Sequence, residues 1–251
     1  MRNIRQLVRR YEDRLLWSEF DVRQTGEVPG TDFDIYISSG GPGSPLEGDG
    51  VWDRRYFDLI DALWQHNRGE ILPKKFVFFI CHSFQMACHH FGLGLIAPRK
   101  STSFGIFPIH KTPAGREDWL LADLADPYYA VDSRDWQLIQ PNLRVFRSKG
   151  ATILSLEKIR THVEYERAIM AVRFSPEVVG TQFHPEANPE GMKAHFQQEE
   201  MRQKVITNFG EKKYLDMMTS LDDPEKIALT HRSILPRFIE HALAHLQDPK
   251  L

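Results

Sequence analysis

The sequence predicts an α/β fold: an open, mostly parallel sheet with helices on both faces, additional antiparallel strands, and a helical C-terminal extension. Three observations carry that expectation. KKFVFFICHSFQMACHHFG, residues 74 to 92, runs an unbroken apolar stretch into a cysteine and then straight into helical spacing. DFDIYISS, residues 32 to 39, alternates like a strand and ends in the turn GGPGSP at 40 to 45. From Met192 onward the spacing is mostly helical. A chain of 251 residues can bury one substantial core, so 1–251 reads as a single domain with 192–251 packed on it as an extension.

Ile4, Leu7, Val8, Tyr11 and Leu15 share one helical stripe, so the chain opens with a helix. A doubly wound fold commonly begins with a strand at the sheet centre. The expectation is therefore that this strand is absent from the polypeptide, or that the chain starts at an internal methionine. EFDVR at 19 to 23 can make a short strand, and a turn follows at 26 to 30. Phe33, Ile35 and Ile37 alternate in the next strand. Trp52, Tyr56, Leu59, Ile60 and Leu63 mark a helix before Gly69 and Pro73 interrupt it.

Phe76 to Ile80 lack polar alternation and read as a central parallel strand covered on both faces. Phe84, Ala87, Cys88 and Phe91 then mark a buried helix face. Residues 92 to 118 hold glycine and proline and predict short extended pieces around 104 to 109. LLADLADPYYAVDSRDWQLIQP, within 119 to 143, reads as a loop or cover near a site. ATILSL, AIMAVRF and VVGTQF predict closely joined antiparallel strands. The helices beyond Met192 break near Gly210 and again around 222 to 224, and THRSILPRFIEHALAHL reads as a helix covering the main domain.

Charge is nearly balanced, 32 basic against 34 acidic residues, without a long basic run. Neither nucleic acid nor an anionic membrane is an expected partner. RNIRQLVRRYEDRLL is basic and amphipathic but has no apolar core, which argues against a secretory signal or a spanning helix. Glu12 and Asp13 weaken a presequence reading. Cys81 and Cys88 lie seven apart on one predicted helical segment and suggest no disulfide framework, so a reducing, cytoplasmic setting is expected.

Cys81 falls where a strand turns sharply into a helix, a way to hold a nucleophile at the top of a sheet. Unpaired backbone N–H groups and the helix dipole favour a thiolate there, and the same groups could hold a carbonyl oxygen under attack. A cysteine after an apolar strand can equally be a small buried hydrophobe. The glycines of 40 to 45 allow N–H groups to converge on an anion, though the loop lacks the Lys-Ser/Thr ending of a phosphate loop. His184 and Glu186 lie two apart, on one face of an extended segment stiffened by Pro185. Glu186 against one imidazole nitrogen would leave the other for Cys81; otherwise the two residues are an exposed strand end. His82, His89 and His90 match zinc ligands in number but not in direction, and are assigned to packing or solvent.

Taken together, SGGPGSP at 39 to 45, FICHSFQ at 79 to 85 and TQFHPE at 181 to 186 resemble the class I glutamine amidotransferases in order and spacing, over roughly residues 20 to 190. The resemblance implies a flavodoxin-like domain with Cys81 as nucleophile, His184 as base and Glu186 as the residue orienting it. It implies backbone oxyanion donors at Gly41 and His82, and places Gln85 in support of the site and of glutamine binding. Family members usually carry glycine two before and two after the nucleophile. Here those positions hold Phe79 and Ser83, and phenylalanine demands space or a shifted helix.

The activity implied is hydrolysis of the glutamine side-chain amide through a cysteinyl thioester, without metal or organic cofactor. The ammonia would pass to a synthetase or transferase partner. The alternatives are a γ-glutamyl peptide or amide hydrolase, and a non-catalytic regulatory or binding protein with an altered elbow.

Overall fold

The computed structural model describes residues 2–69, 71–159 and 166–247. The chain opens with α1 (Arg2–Val8), extended by a 3-10 turn at Arg9–Tyr11, and then forms β1 (Ile35–Ser38), α2 (Trp52–Arg68), β2 (Phe76–Ile80) and α3 (His82–His90). Next come β3 (Leu95–Lys111), α4 (Pro113–Glu117), a second 3-10 turn at Trp119–Leu121, β4 (Tyr128–Ile139) and α5 (Leu143–Lys149). The sheet is completed by β5 (Thr152–Glu157), β6 (Ile169–Arg173) and β7 (Val178–Thr181). Four helices follow: α6 (Pro189–Phe196), α7 (Glu199–Phe209), α8 (Glu211–Asp222) and α9 (Ile227–Gln247). Residues 248–251 of the expected extension lie outside the described residues.

Among the described residues the seven strands form one sheet in the order β1-β2-β7-β6-β5-β3-β4. This is the α/β architecture the sequence predicts, but the sheet is mixed. Parallel pairing is confined to β1 with β2 and β2 with β7, whereas β7-β6, β6-β5, β5-β3 and β3-β4 are antiparallel. The predicted antiparallel strands β5, β6 and β7 are present, and β3 with β4 adds a long pair where short pieces and a cover were expected. Pro98, Gly105 (φ +135) and Pro108 disguise β3 in the sequence, and the register shifts between Pro98 and Ser103. EFDVR is not a strand. The Asp21 carboxylate accepts from Gln24 N (3.0 Å) and its carbonyl from Thr25 Oγ1 (2.7 Å), which holds a turn in place of an extended run.

Alternation along β2 divides the core. Phe76, Phe78 and Ile80 pack with Leu7, Phe183, Ile234 and Phe238 on one face. Val77 and Phe79 pack with Trp52, Tyr56, Ile60, Phe84 and Phe91 on the other. Every residue of β2 is buried, which is why it reads as a continuous apolar run. A third cluster joins Phe196, Val205, Tyr214 and Met217 of α6 to α8 with Phe104 and Ile106 of β3. The helical C-terminal segment is thus packed on the sheet, α9 on one face and α6 to α8 along the long pair. No helix among the described residues is long and apolar enough to cross a membrane.

Candidate active site

Cys81 caps α3 directly at the end of β2 with φ 52 and ψ −102, a positive φ for a side chain that disfavours it. Such a backbone costs of order 1–3 kcal/mol and persists where its surroundings hold it. The surroundings here are specific. Cys81 N–H donates to the Thr181 carbonyl of β7 (2.7 Å), and the Cys81 carbonyl accepts from Gln85 N (3.0 Å). Ser83 Oγ accepts from Ile80 N (2.9 Å) and donates to the Ser38 carbonyl at the end of β1 (2.6 Å). Three adjacent strand ends therefore clamp the elbow.

Phe79 fits without glycine at the elbow because the room lies in the neighbouring strand. It pairs with Gly180 of β7, where a Cβ would come within 2.8 Å of the Phe84 ring and 3.0 Å of Phe79 Cβ. Phe79 then packs edge-on against Phe174, ring centroids 5.7 Å apart. Ser83, the other departure, supplies the clamp just described.

Residues from all three sequence motifs come together at this elbow. His184 is held by its own N–H on the Val131 carbonyl of β4 (2.9 Å), and its Nδ1 lies 2.8 Å from Glu186 Oε1. With Nδ1 on the carboxylate, Nε2 is the ring nitrogen that the carboxylate leaves unengaged. Gly40 closes the space between them: a Cβ there would lie 3.1 Å from His184 Cε1 and 3.3 Å from Cys81 Cβ. Burial works to lower the His184 pKa, but the neighbouring Cys81 and the hydrogen-bonded Glu186 carboxylate outweigh it and raise it well above the ordinary value. The second carboxylate oxygen of Glu186, Oε2, is buried without a protein partner.

The glycine loop is held against the elbow from two sides. Arg23 donates to the Pro42 carbonyl and lies over the Trp52 ring at 5.4 Å. A Cβ on Gly41 would stand 2.8 Å from the same guanidinium. His82 Nε2 lies 3.3 Å from the Ser44 carbonyl. Burial lowers the His82 pKa, the Ser44 bond opposes this, and the Arg23 charge adds to the lowering, so the neutral ring tethers the loop. His82 is also the first residue of α3, whose backbone N–H has no partner within the helix. Gly41 follows Gly40, where a Cβ would crowd both Cys81 and His184.

Gln85 is buried, and its Nε2 donates to the Trp136 carbonyl (3.0 Å) and to Gln182 Oε1 (2.9 Å). Gln182 in turn places Nε2 3.7 Å from Cys81 Sγ, and the Ser133 carbonyl lies 3.8 Å from the same sulfur. Gln182, Ser133 and Trp136 were not singled out from sequence. A signal for Gln182 was present, since it stands two before His184 on the same face of an extended chain.

Ser133 and Trp136 sit on β4, which a buried ion pair stiffens: Arg134 Nε donates to Asp132 Oδ1 at 2.9 Å. Ser103 Oγ donates to the other Asp132 oxygen (2.8 Å), and Arg134 Nη1 to the Trp136 carbonyl (3.0 Å). Among the described residues no group of three or more His, Cys, Asp or Glu could hold a metal ion. His90 pairs with Asp61 (2.8 Å) and stacks on Phe57 at 4.7 Å, the packing role assigned to it.

The model of the family "Glutamine amidotransferase class-I" matches residues 2–204. No curated protein sequence matches the chain. Among solved structures, a glutamine amidotransferase from Thermotoga maritima is 15% identical with a TM-score of 0.69, over 96% of this chain and 91% of that one. The protein SMU.1228c is 19% identical with a TM-score of 0.66, over 94% and 92%. A glutamine amido transferase from Methylobacillus flagellatus is 18% identical with a TM-score of 0.52, over 82% and 73%. At these identities the structures speak for the fold, and the family model for the membership: the chain belongs to the class I glutamine amidotransferases.

Proposed function

We propose that the chain hydrolyses the side-chain amide of glutamine to glutamate and ammonia, with Cys81 as nucleophile, His184 as base and acid, and Glu186 orienting the imidazole. The observation that carries this reading is that Glu186 hydrogen-bonds one nitrogen of an imidazole set beside Cys81, with only Gly40 between ring and thiol, at a strained strand end. His184 takes the thiol proton as the sulfur attacks the carboxamide carbon. The tetrahedral oxygen collects the Gly41 and His82 N–H groups, which act where negative charge develops. His184 then protonates the departing ammonia, and later draws a proton from the water that cleaves the thioester and releases glutamate.

None of these steps requires a metal or an organic cofactor. Gln85 supports glutamine binding from beneath the elbow, and the residues from 192 on form a helical extension of a single domain. The ammonia is supplied to a synthetase or transferase partner.

The test is release of glutamate from free glutamine, compared with release from γ-glutamyl peptides and with the Cys81→Ser variant. Preference for free glutamine and a loss of at least about a thousandfold in the variant are expected. Unchanged release after the replacement would reject the nucleophile. Preference for the peptides would move the activity to γ-glutamyl hydrolysis.

A further inference from the structure

Two carboxamides beneath the elbow form a chain with only one consistent orientation. The Trp136 carbonyl can only accept, so the Gln85 group 3.0 Å from it is the nitrogen. The second N–H of that nitrogen requires an acceptor, which makes the Gln182 atom at 2.9 Å the oxygen. The remaining end of Gln182, 3.7 Å from Cys81 Sγ, is therefore N–H. Turning either amide over would set donor against donor or oxygen against oxygen. Gln182 is 0% exposed and Gln85 2%, so water does not compete for these groups.

The sulfur is consequently bracketed by opposites. The Ser133 carbonyl at 3.8 Å can only accept and favours the protonated thiol. The Gln182 N–H can only donate and favours the anion. We propose that Gln182, held by Gln85 as a positioning residue, stabilises the Cys81 thiolate in both halves of the reaction, as the attacking group and as the group expelled when water cleaves the thioester. This rests on the reading of Cys81 as nucleophile. It assigns to Gln182 a contact with the reacting atom, and to Gln85 a role exerted through Gln182.

The experiment is the rate of alkylation by iodoacetamide across pH, with peptide mapping to separate Cys81 from Cys88, whose thiol burial pushes well up. Gln182→Met removes the donor, Gln182→Glu replaces it with an acceptor, and Gln85→Met leaves Gln182 in place but unheld. The rise of Cys81 alkylation is expected about one pH unit higher in Gln182→Met, roughly a tenfold slower rate on the rising limb. The displacement should be larger in Gln182→Glu and smaller, in the same direction, in Gln85→Met.

An undisplaced profile in folded Gln182→Met overturns the proposal, because a purely structural glutamine would alter unfolding and not thiol ionisation. Where that variant does not fold, Gln85→Met decides, and an undisplaced profile there overturns it. Alkylation needs no turnover, so absent glutamate release by the wild type would sink the hydrolase reading while the thiol profile still decides the relay.

Discussion

Phe79 of β2 lies opposite Gly180 of β7 in the sheet register, and the missing Cβ of that glycine is the space into which the Phe79 and Phe84 side chains fit. The crowding expected at the elbow is thereby relieved from the adjacent strand. Phe79 points to the face occupied by α2 and α3, while Ile80 and Cys81 belong to the cluster on the other face. A large residue two before the cysteine is therefore compatible with the sulfur's position, and the departure from the family pattern is a matter of packing.

Gly180→Ala should accordingly overpack this spot and destabilise the fold by about 1–3 kcal/mol, measured by urea unfolding. Phe84→Ala, which removes the ring that the new Cβ would meet at 2.8 Å, should cost about 3–5 kcal/mol by leaving a cavity. The double variant should cost less than the sum, with a coupling of about 0.5–3 kcal/mol. Strict additivity would contradict the contact between the Gly180 position and the Phe84 ring.

Gly40→Ala tests the space between thiol and imidazole. Its Cβ would press on His184 Cε1 at 3.1 Å and Cys81 Cβ at 3.3 Å. Glutamate release should fall roughly ten- to a hundredfold through misplacement of the pair, with little change in the urea midpoint. Equal loss of stability and activity would point to general disruption.

Glu186→Gln should lower the His184 pKa, since the carboxylate is one of the groups that raise it. An NMR titration of the ring checks this. The linked stability has a definite sign: a histidine with a raised folded pKa stabilises the fold fully below its unfolded value of about 6.5, and that contribution is lost as pH rises through the folded value. The variant's deficit in urea from this source should be largest below that pH and shrink on the alkaline side of the folded value.

Arg134→Met should cost about 3–5 kcal/mol, because it leaves the buried Asp132 carboxylate with the Ser103 hydroxyl but without its ion-pair partner. Unfolding midpoints check the loss. Cys81 alkylation should also change in this variant, since the strand presenting Ser133 and Trp136 is loosened.

These residues also show what the sequence made legible. β2 and α3 could be read because an apolar run and a helical stripe are local patterns, whereas Cys81, His184 and Glu186 became candidates together only through a resemblance carried by three separated motifs. The antiparallel β5, β6 and β7 were readable from local patterns as well. β4 was not: Asp132, Ser133 and Arg134 have the composition of a loop, and only their mutual pairing lets them lie buried in a strand. β3 was hidden by Pro98, Gly105 and Pro108; its register shift follows Pro98, while the other two lie within the regular ladder. Gln182 was in view, yet its relation to the sulfur depends on Gln85, almost a hundred residues away, and no local pattern carries such a contact.

The central claim is that Cys81 forms the covalent intermediate, and mass spectrometry of the folded protein after incubation with an electrophilic glutamine analogue addresses it most directly. One adduct per chain, mapped to the peptide at Cys81 and absent from Cys81→Ser, is the predicted result. No adduct, or one carried by Cys88, would contradict the account.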